Sequence, residues 1–184
     1  MHREHKMIIF AKGLGYALFG NILSGIMFIS ISPMVSVWFI CLVAFIFTLF
    51  IYLSLLFTAG FRDGQKESVM LKNHRVESIP KYRWIIGGTI SGAVMSIPTI
   101  IVLLGKLGAV SISAEFMFAY RFLSGTVYPL FHIAGVQKLG VSEFPLWMLL
   151  ACMGVYLILS PVAAHIGFKF GSDENKKLSF MYEK

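Results

Sequence analysis

The stretch EFMFAYRFLSGTVYPLFH, residues 115–132, decides how this chain is threaded. It is as apolar as a bilayer-crossing helix, yet it carries Glu115, Arg121 and His132. On a helix beginning near Ser113, residues Arg121, Ser124, Gly125, Tyr128 and His132 share one face at spacings of three and four. Phe118, Phe122, Val127 and Phe131 lie largely elsewhere, so the stripe is amphipathic. Whether it spans, lies at an interface or dips in and returns depends on the rest of the sequence.

Composition settles the class. Of 184 residues, 57% are hydrophobic and 14% charged, against about 25% charged in soluble domains. So short a chain cannot wrap that much apolar matter in polar surface. A helical integral membrane protein with the lipid bilayer as its solvent is expected. The net charge of +7 sits in short blocks between apolar stretches, which marks topology and not a nucleic-acid partner. Cys41 and Cys152 fall inside apolar runs and imply neither a disulfide framework nor a metal motif. The opening MHREHK resembles the start of a signal peptide, but Lys12 interrupts the early apolar run and a second long run follows Ser32-Pro33, so a retained first span is expected.

A crossing of the hydrocarbon core needs about 20 apolar residues. Four stretches supply them: 13–31, 35–59, 84–105 and 146–168. The expected fold is all-α and polytopic, a single membrane domain over 1–184 with four transmembrane helices plus an extracytoplasmic interfacial or re-entrant helix at about 113–133. A loop at 61–83 and a tail at 169–184 are expected in the cytoplasm.

Lysine and arginine orient the spans. Arg3, Lys6 and Lys12 precede the first; Arg62, Lys66, Lys72, Arg75, Lys81 and Arg83 lie between the second and third; Lys169, Lys176, Lys177 and Lys184 follow the fourth. With both termini cytoplasmic, 13 of the 16 positive residues lie inside, as the positive-inside rule requires. A fifth span at 113–133 would move the tail outside with its four lysines and place Arg121 near mid-bilayer at a cost of at least about 2.5 kcal/mol. Both penalties vanish for an interfacial or re-entrant helix, with Gly125 and Pro129 permitting a break. Trp38, Trp84 and Trp147 all fall at expected interfaces.

Small residues suggest how the spans meet. Gly13, Ala17, Gly20 and Ser24 form one face of span one; Gly88, Gly92, Ser96 and Thr99 form one face of span three. In lipid such faces let backbones approach closely, so spans one and three are expected to meet each other or a partner chain. Span two, ringed by Trp38, Phe39, Phe45, Phe47, Phe50, Tyr52 and Phe57, is expected to face lipid. Pro98 and Pro161 should kink spans three and four, with neighbouring serines helping to satisfy the freed carbonyls. Asn21, the one mid-span amide, is read as an interhelical hydrogen-bonding residue. The similar ends Gly60-Phe61-Arg62-Asp63-Gly64 and Gly167-Phe168-Lys169-Phe170-Gly171 read first as glycine-terminated helices with interfacial anchors. A duplicated hairpin is the alternative.

Known chemistry leaves no signature. There is no HExxH, no paired carboxylate motif on a span and no nucleotide-binding glycine loop; no enzymatic activity and no cofactor are expected. No acid or histidine sits at the centre of a span, where coupled transporters usually carry one. The candidate polar face for a ligand or partner is Arg121, Tyr128 and His132, with Glu115.

The chain runs from Gly60-Phe61-Arg62-Asp63-Gly64 through Ser96-Ile97-Pro98, Tyr120-Arg121-Phe122-Leu123 and Tyr128-Pro129-Leu130 to Gly167-Phe168-Lys169-Phe170-Gly171. This order of features resembles small multi-span membrane proteins of Gram-positive, clostridia-like bacteria. The resemblance implies a bacterial plasma membrane and supplies no activity. Energy-coupling-type substrate-binding subunits are similar in length but have six spans. The expected function is a non-enzymatic helical subunit that packs with itself, as a homo-oligomer, or with a partner membrane protein; the alternative is a small permease or solute-binding component using the Arg121 to His132 face.

Overall fold

The computed structural model describes residues 2–31, 38–76, 78, 82–134 and 141–173. The Ser32-Pro33 link and Lys81, Lys138, Lys176, Lys177 and Lys184 lie outside the described residues. All regular structure among the described residues is helical, and four helices are long and apolar enough to cross a membrane.

Helix α1 is His2–Ile31 and α2 is Trp38–Lys72. Helix α3, Arg83–Lys106, runs alongside α1: Ile9 and Gly13 of α1 lie beside Gly87 and Ser91 of α3. The fourth crossing is composite, with α6 (Leu146–Gly154), a π-helical turn (Val155–Leu159) and α7 (Ser160–Ser172). One end of the bundle therefore gathers the start of α1, the end of α2, the start of α3 and the end of α7. It is called the basic end below.

The second helix does not stop at Gly60. It continues to Lys72, about 52 Å at 1.5 Å per residue, so most of the expected loop 61–83 is helix. The glycines read as helix ends are packing positions. A β-carbon on Gly60 would strike the backbone of Ala164, and one on Gly64 the backbone of Phe168 and Ser172. Reciprocally, Gly167 abuts Phe57 and Gly171 abuts Phe61. The two GxxxG segments face each other in parallel, and backbone approaches backbone along two turns, as small-residue pairs permit in lipid.

The stripe on α3 is also consumed within the chain. Gly88 and Gly92 press on Pro161 and Tyr156 of the fourth crossing, and Ser96 is buried with its hydroxyl donating to the Gly92 carbonyl, 2.9 Å. On α1, Gly13 faces Ser91 of α3, Ala17 is buried in the core, Gly20 lies against Tyr52 of α2, and Ser24 donates to the Thr48 carbonyl, 3.1 Å. Spans one and three thus meet each other as expected, at the basic end and again where Asn21 reaches Met95, while Gly88 and Gly92 of α3 serve the fourth crossing.

Three expectations about side chains change. Phe39, Phe47 and Phe50 of α2 are exposed as expected, but its other side is a buried stripe of Cys41, Ala44, Thr48, Tyr52, Leu56 and Ala59. Trp38 and Trp147 are 64% exposed, whereas Trp84 is fully buried and is no lipid anchor. Nor do serines repair the proline breaks. Ser96 bonds Gly92, and the fourth crossing opens into the π turn just before Pro161, one of the recognised ways a helix absorbs a break.

Between α3 and α6 the chain forms a helical hairpin in place of one continuous helix at 113–133. Helix α4 is Ala114–Leu123, a turn follows, and α5 is Tyr128–Ile133. α3 ends and α6 begins at the end opposite the basic end, so the hairpin enters and leaves from that side. Its tip packs on Asn21 and Gly25 of α1. Asn21 is ten residues from the end of α1 at Ile31, about 15 Å along the axis, half the depth of a hydrocarbon core of about 30 Å.

Candidate functional site

Three groups of polar side chains mark the molecule from one end to the other. The first is the face expected from sequence. Arg121 Nε donates to the Tyr128 hydroxyl, 3.0 Å, and its guanidinium carbon stands 5.6 Å from the centre of the same ring. His132 completes an aromatic triangle with Phe28 and Tyr128, at centroid distances of 5.2 and 5.7 Å. Burial, with the Arg121 charge adding to it, holds the His132 imidazolium below the ordinary histidine range. Arg121, Tyr128 and His132 are therefore brought together. Glu115 is not: it is fully exposed at the start of α4, where hydrogen bonding from Ser113 and from its own backbone lowers its carboxyl pKa. It acts as part of the helix cap, with Ser113 Oγ accepting from the Phe116 amide, 3.2 Å.

The second group surrounds the hairpin tip. Irregular backbone at mid-membrane depth must find partners inside the protein. The Thr126 amide donates to Asn21 Oδ1, 3.3 Å, and the Thr126 carbonyl accepts from the Thr48 hydroxyl, 3.0 Å. The same Asn21 oxygen accepts from Tyr156 on the π turn, 2.7 Å, while its amide donates to Met95 Sδ, 3.2 Å. Tyr52 and Ser160 join their hydroxyls 2.9 Å apart beside it. Gly125 fits because a β-carbon would collide with the backbone of Asn21 and Gly25. Asn21 is thus the interhelical hydrogen-bonding residue expected of it, and its partners come from three separate segments outside its own helix.

The third group lies at the basic end and was not recognised in the sequence. Asp63 is buried on α2 between Lys12 of α1, 3.0 Å, and the Trp84 indole N–H of α3, 3.2 Å. One turn further, Glu67 is buried against Arg83. Each carboxylate ties α2 to a neighbour, and removing its basic partner would leave a buried carboxylate without its counter-charge. The signal was present: Tyr52, Leu56, Ala59, Asp63 and Glu67 continue one helical face at spacings of three and four. Reading Gly60 to Gly64 as a helix end cut that face short.

Beside these pairs α1 and α2 diverge to leave an open groove of about 930 Å³, lined by Lys12, Tyr16, Arg62, Asp63, Lys66 and Glu67 with Ile8, Ala59 and Met70. Arg62 donates to the Tyr16 hydroxyl at 3.4 Å, and both Arg62 and Lys66 are exposed. Among the described residues no three histidine, cysteine or carboxylate side chains gather within reach of one metal ion. No protein-family model matches the chain, and neither a characterised protein nor a solved structure is similar to it. The polar groups themselves must carry any functional reading.

Proposed function

We propose that the chain is a non-enzymatic helical subunit of the bacterial plasma membrane, both termini cytoplasmic, which packs with itself or with a partner membrane protein. The observation that supports this is the filled centre. The hairpin tip occupies mid-membrane depth, and Asn21, Thr48 and Tyr156 direct their polar atoms to it and to one another. Such a centre is built as a brace. The stripes on α1 and α3 serve the fold, so partner packing falls to outward small positions: Ala151 is exposed, and Gly154 has open space where its β-carbon would stand. There a neighbouring helix could approach closely.

A second reading, the small permease, draws support from the π turn at Val155–Leu159, whose Tyr156 bonds the same Asn21 oxygen that holds the hairpin tip. Two interrupted helices meeting at mid-depth are where transporters place their sites, and Arg121 and His132 would then guard the entrance. The readings separate experimentally. In mild detergent, light scattering is expected to find at least two chains per particle, or a stoichiometric second protein. Gly154→Leu is expected to reduce that to a single chain with an unchanged melting curve. A single-chain particle that moves solute in proteoliposomes, with flux abolished by Arg121→Ala or His132→Ala, would overturn the subunit reading in favour of the permease.

A further inference from the structure

The groove at the basic end has the form of a two-part site. Among the described residues its charged part holds four basic side chains, Lys12, Arg62, Lys66 and, behind Glu67, Arg83, against two carboxylates, Asp63 and Glu67. Lys12 is committed to Asp63 and Arg83 to Glu67. Among the described residues this leaves Arg62 and Lys66, one helical turn apart on α2, both exposed and both lining the groove. Two such cations can both donate to the oxygens of one phosphate diester, whose single negative charge they more than neutralise.

The apolar part is continuous with it. A shallow furrow of about 280 Å³ runs along α1 over Ala11, Gly15 and Phe19 and shares Lys12 and Tyr16 with the charged groove. Gly15 creates its floor: nothing lies within 4 Å of the position its β-carbon would take. From Lys12 the furrow descends toward the level of Asn21, into the apolar depth of the bilayer. The charged part lies at the opposite limit. Arg62 and Lys66 are 24 and 28 residues beyond Trp38, roughly 36–42 Å along α2. A core of about 30 Å beginning at Trp38 therefore leaves Arg62 about 6 Å beyond its edge, at headgroup level, and Lys66 about 12 Å beyond it, from where its long side chain reaches back to the headgroups.

A phosphate-sized charge at headgroup depth, joined to an apolar channel leading inward, matches one chemical class. We infer that α1 and α2 together bind an anionic phospholipid of the basic-end leaflet, its phosphate held by Arg62 and Lys66 and an acyl chain laid along Ala11, Gly15 and Phe19. Tyr16, whose hydroxyl accepts from Arg62, stands at the junction and positions the guanidinium. The inference requires only the membrane-embedded fold and is independent of whether the chain has a protein partner.

The test uses the full chain in nanodiscs, with spin-labelled phosphatidylglycerol or phosphatidylcholine as the probe. Phosphatidylglycerol is expected to be retained at least several-fold more strongly, and salt should weaken it. Arg62→Gln with Lys66→Gln is expected to bring the two lipids to parity, at roughly fivefold per charge removed. Arg62→Lys should retain part of the preference. Gly15→Leu fills the furrow from a position whose β-carbon meets nothing within 4 Å and is expected to release both lipids alike, with an unchanged melting curve. Equal retention by the unaltered chain, survival of the preference in the double variant, or displacement of the lipid by an equal concentration of glycerol 3-phosphate would each overturn the inference.

Discussion

Asn21 is fully enclosed near mid-membrane, and what it holds there is backbone as much as side chain. Its oxygen receives the Thr126 amide and the Tyr156 hydroxyl; without it, the buried Thr126 N–H at the hairpin tip loses its acceptor. An unsatisfied buried donor costs about 1–3 kcal/mol. Asn21→Leu is therefore expected to lower the free energy of unfolding in mixed micelles by that amount, measured by denaturant titration. Ser30→Ala, which removes an exposed bond to the Ile26 carbonyl, should change it by less than about 0.5 kcal/mol. An Asn21→Leu protein as stable as the unaltered chain would mean that the hairpin tip is not braced there. Asn21 stood out in the sequence as the one amide in mid-span, but its partners did not. Thr126 and Tyr156 are 105 and 135 residues away.

At the scale of elements, glycine has two opposite uses in this bundle. Gly167 of α7 sits where a β-carbon would meet the Phe57 backbone, which no rotamer change can move. Gly15 of α1 faces open space. Gly167→Ala is expected to cost about 1–3 kcal/mol through overpacking, seen as a lower midpoint in a thermal melt. Gly15→Ala should leave the midpoint unchanged or raise it, since alanine favours helix by up to about 1 kcal/mol. The reverse order would refute the backbone-to-backbone α2 and α7 contact. The same contact explains why the similar glycine segments of α2 and α7 misled a reading by local rules. GxxxG followed by polar residues marks a helix end or a helix partner equally well. Only the arrival of a second GxxxG beside it, about 107 positions further along the chain, distinguishes them in lipid.

For the whole molecule, the positive residues and the four crossings carry the orientation. Cys41 and Cys152 are buried and should not compete for reagent, so single introduced cysteines can report sidedness. Ala109→Cys, beyond α3, is expected to react with a membrane-impermeant maleimide in intact cells, and Asp173→Cys, beyond α7, only after permeabilisation. Labelling of Asp173→Cys from outside would overturn the proposed cytoplasmic tail. Four crossings were legible because a hydrocarbon core demands about 20 apolar residues in a row, and that demand is written locally in each segment. So was the proximity of Arg121, Tyr128 and His132, because helical spacing brings them to one side even across the turn. The hairpin's depth, the continuation of α2 to Lys72, the Asp63 and Glu67 pairs and the groove beside Arg62 and Lys66 depend on which helices become neighbours. Neighbour choice follows from backbone fit between distant glycines and from polar groups finding partners far along the chain. It becomes definite only when the four crossings close around the hairpin tip.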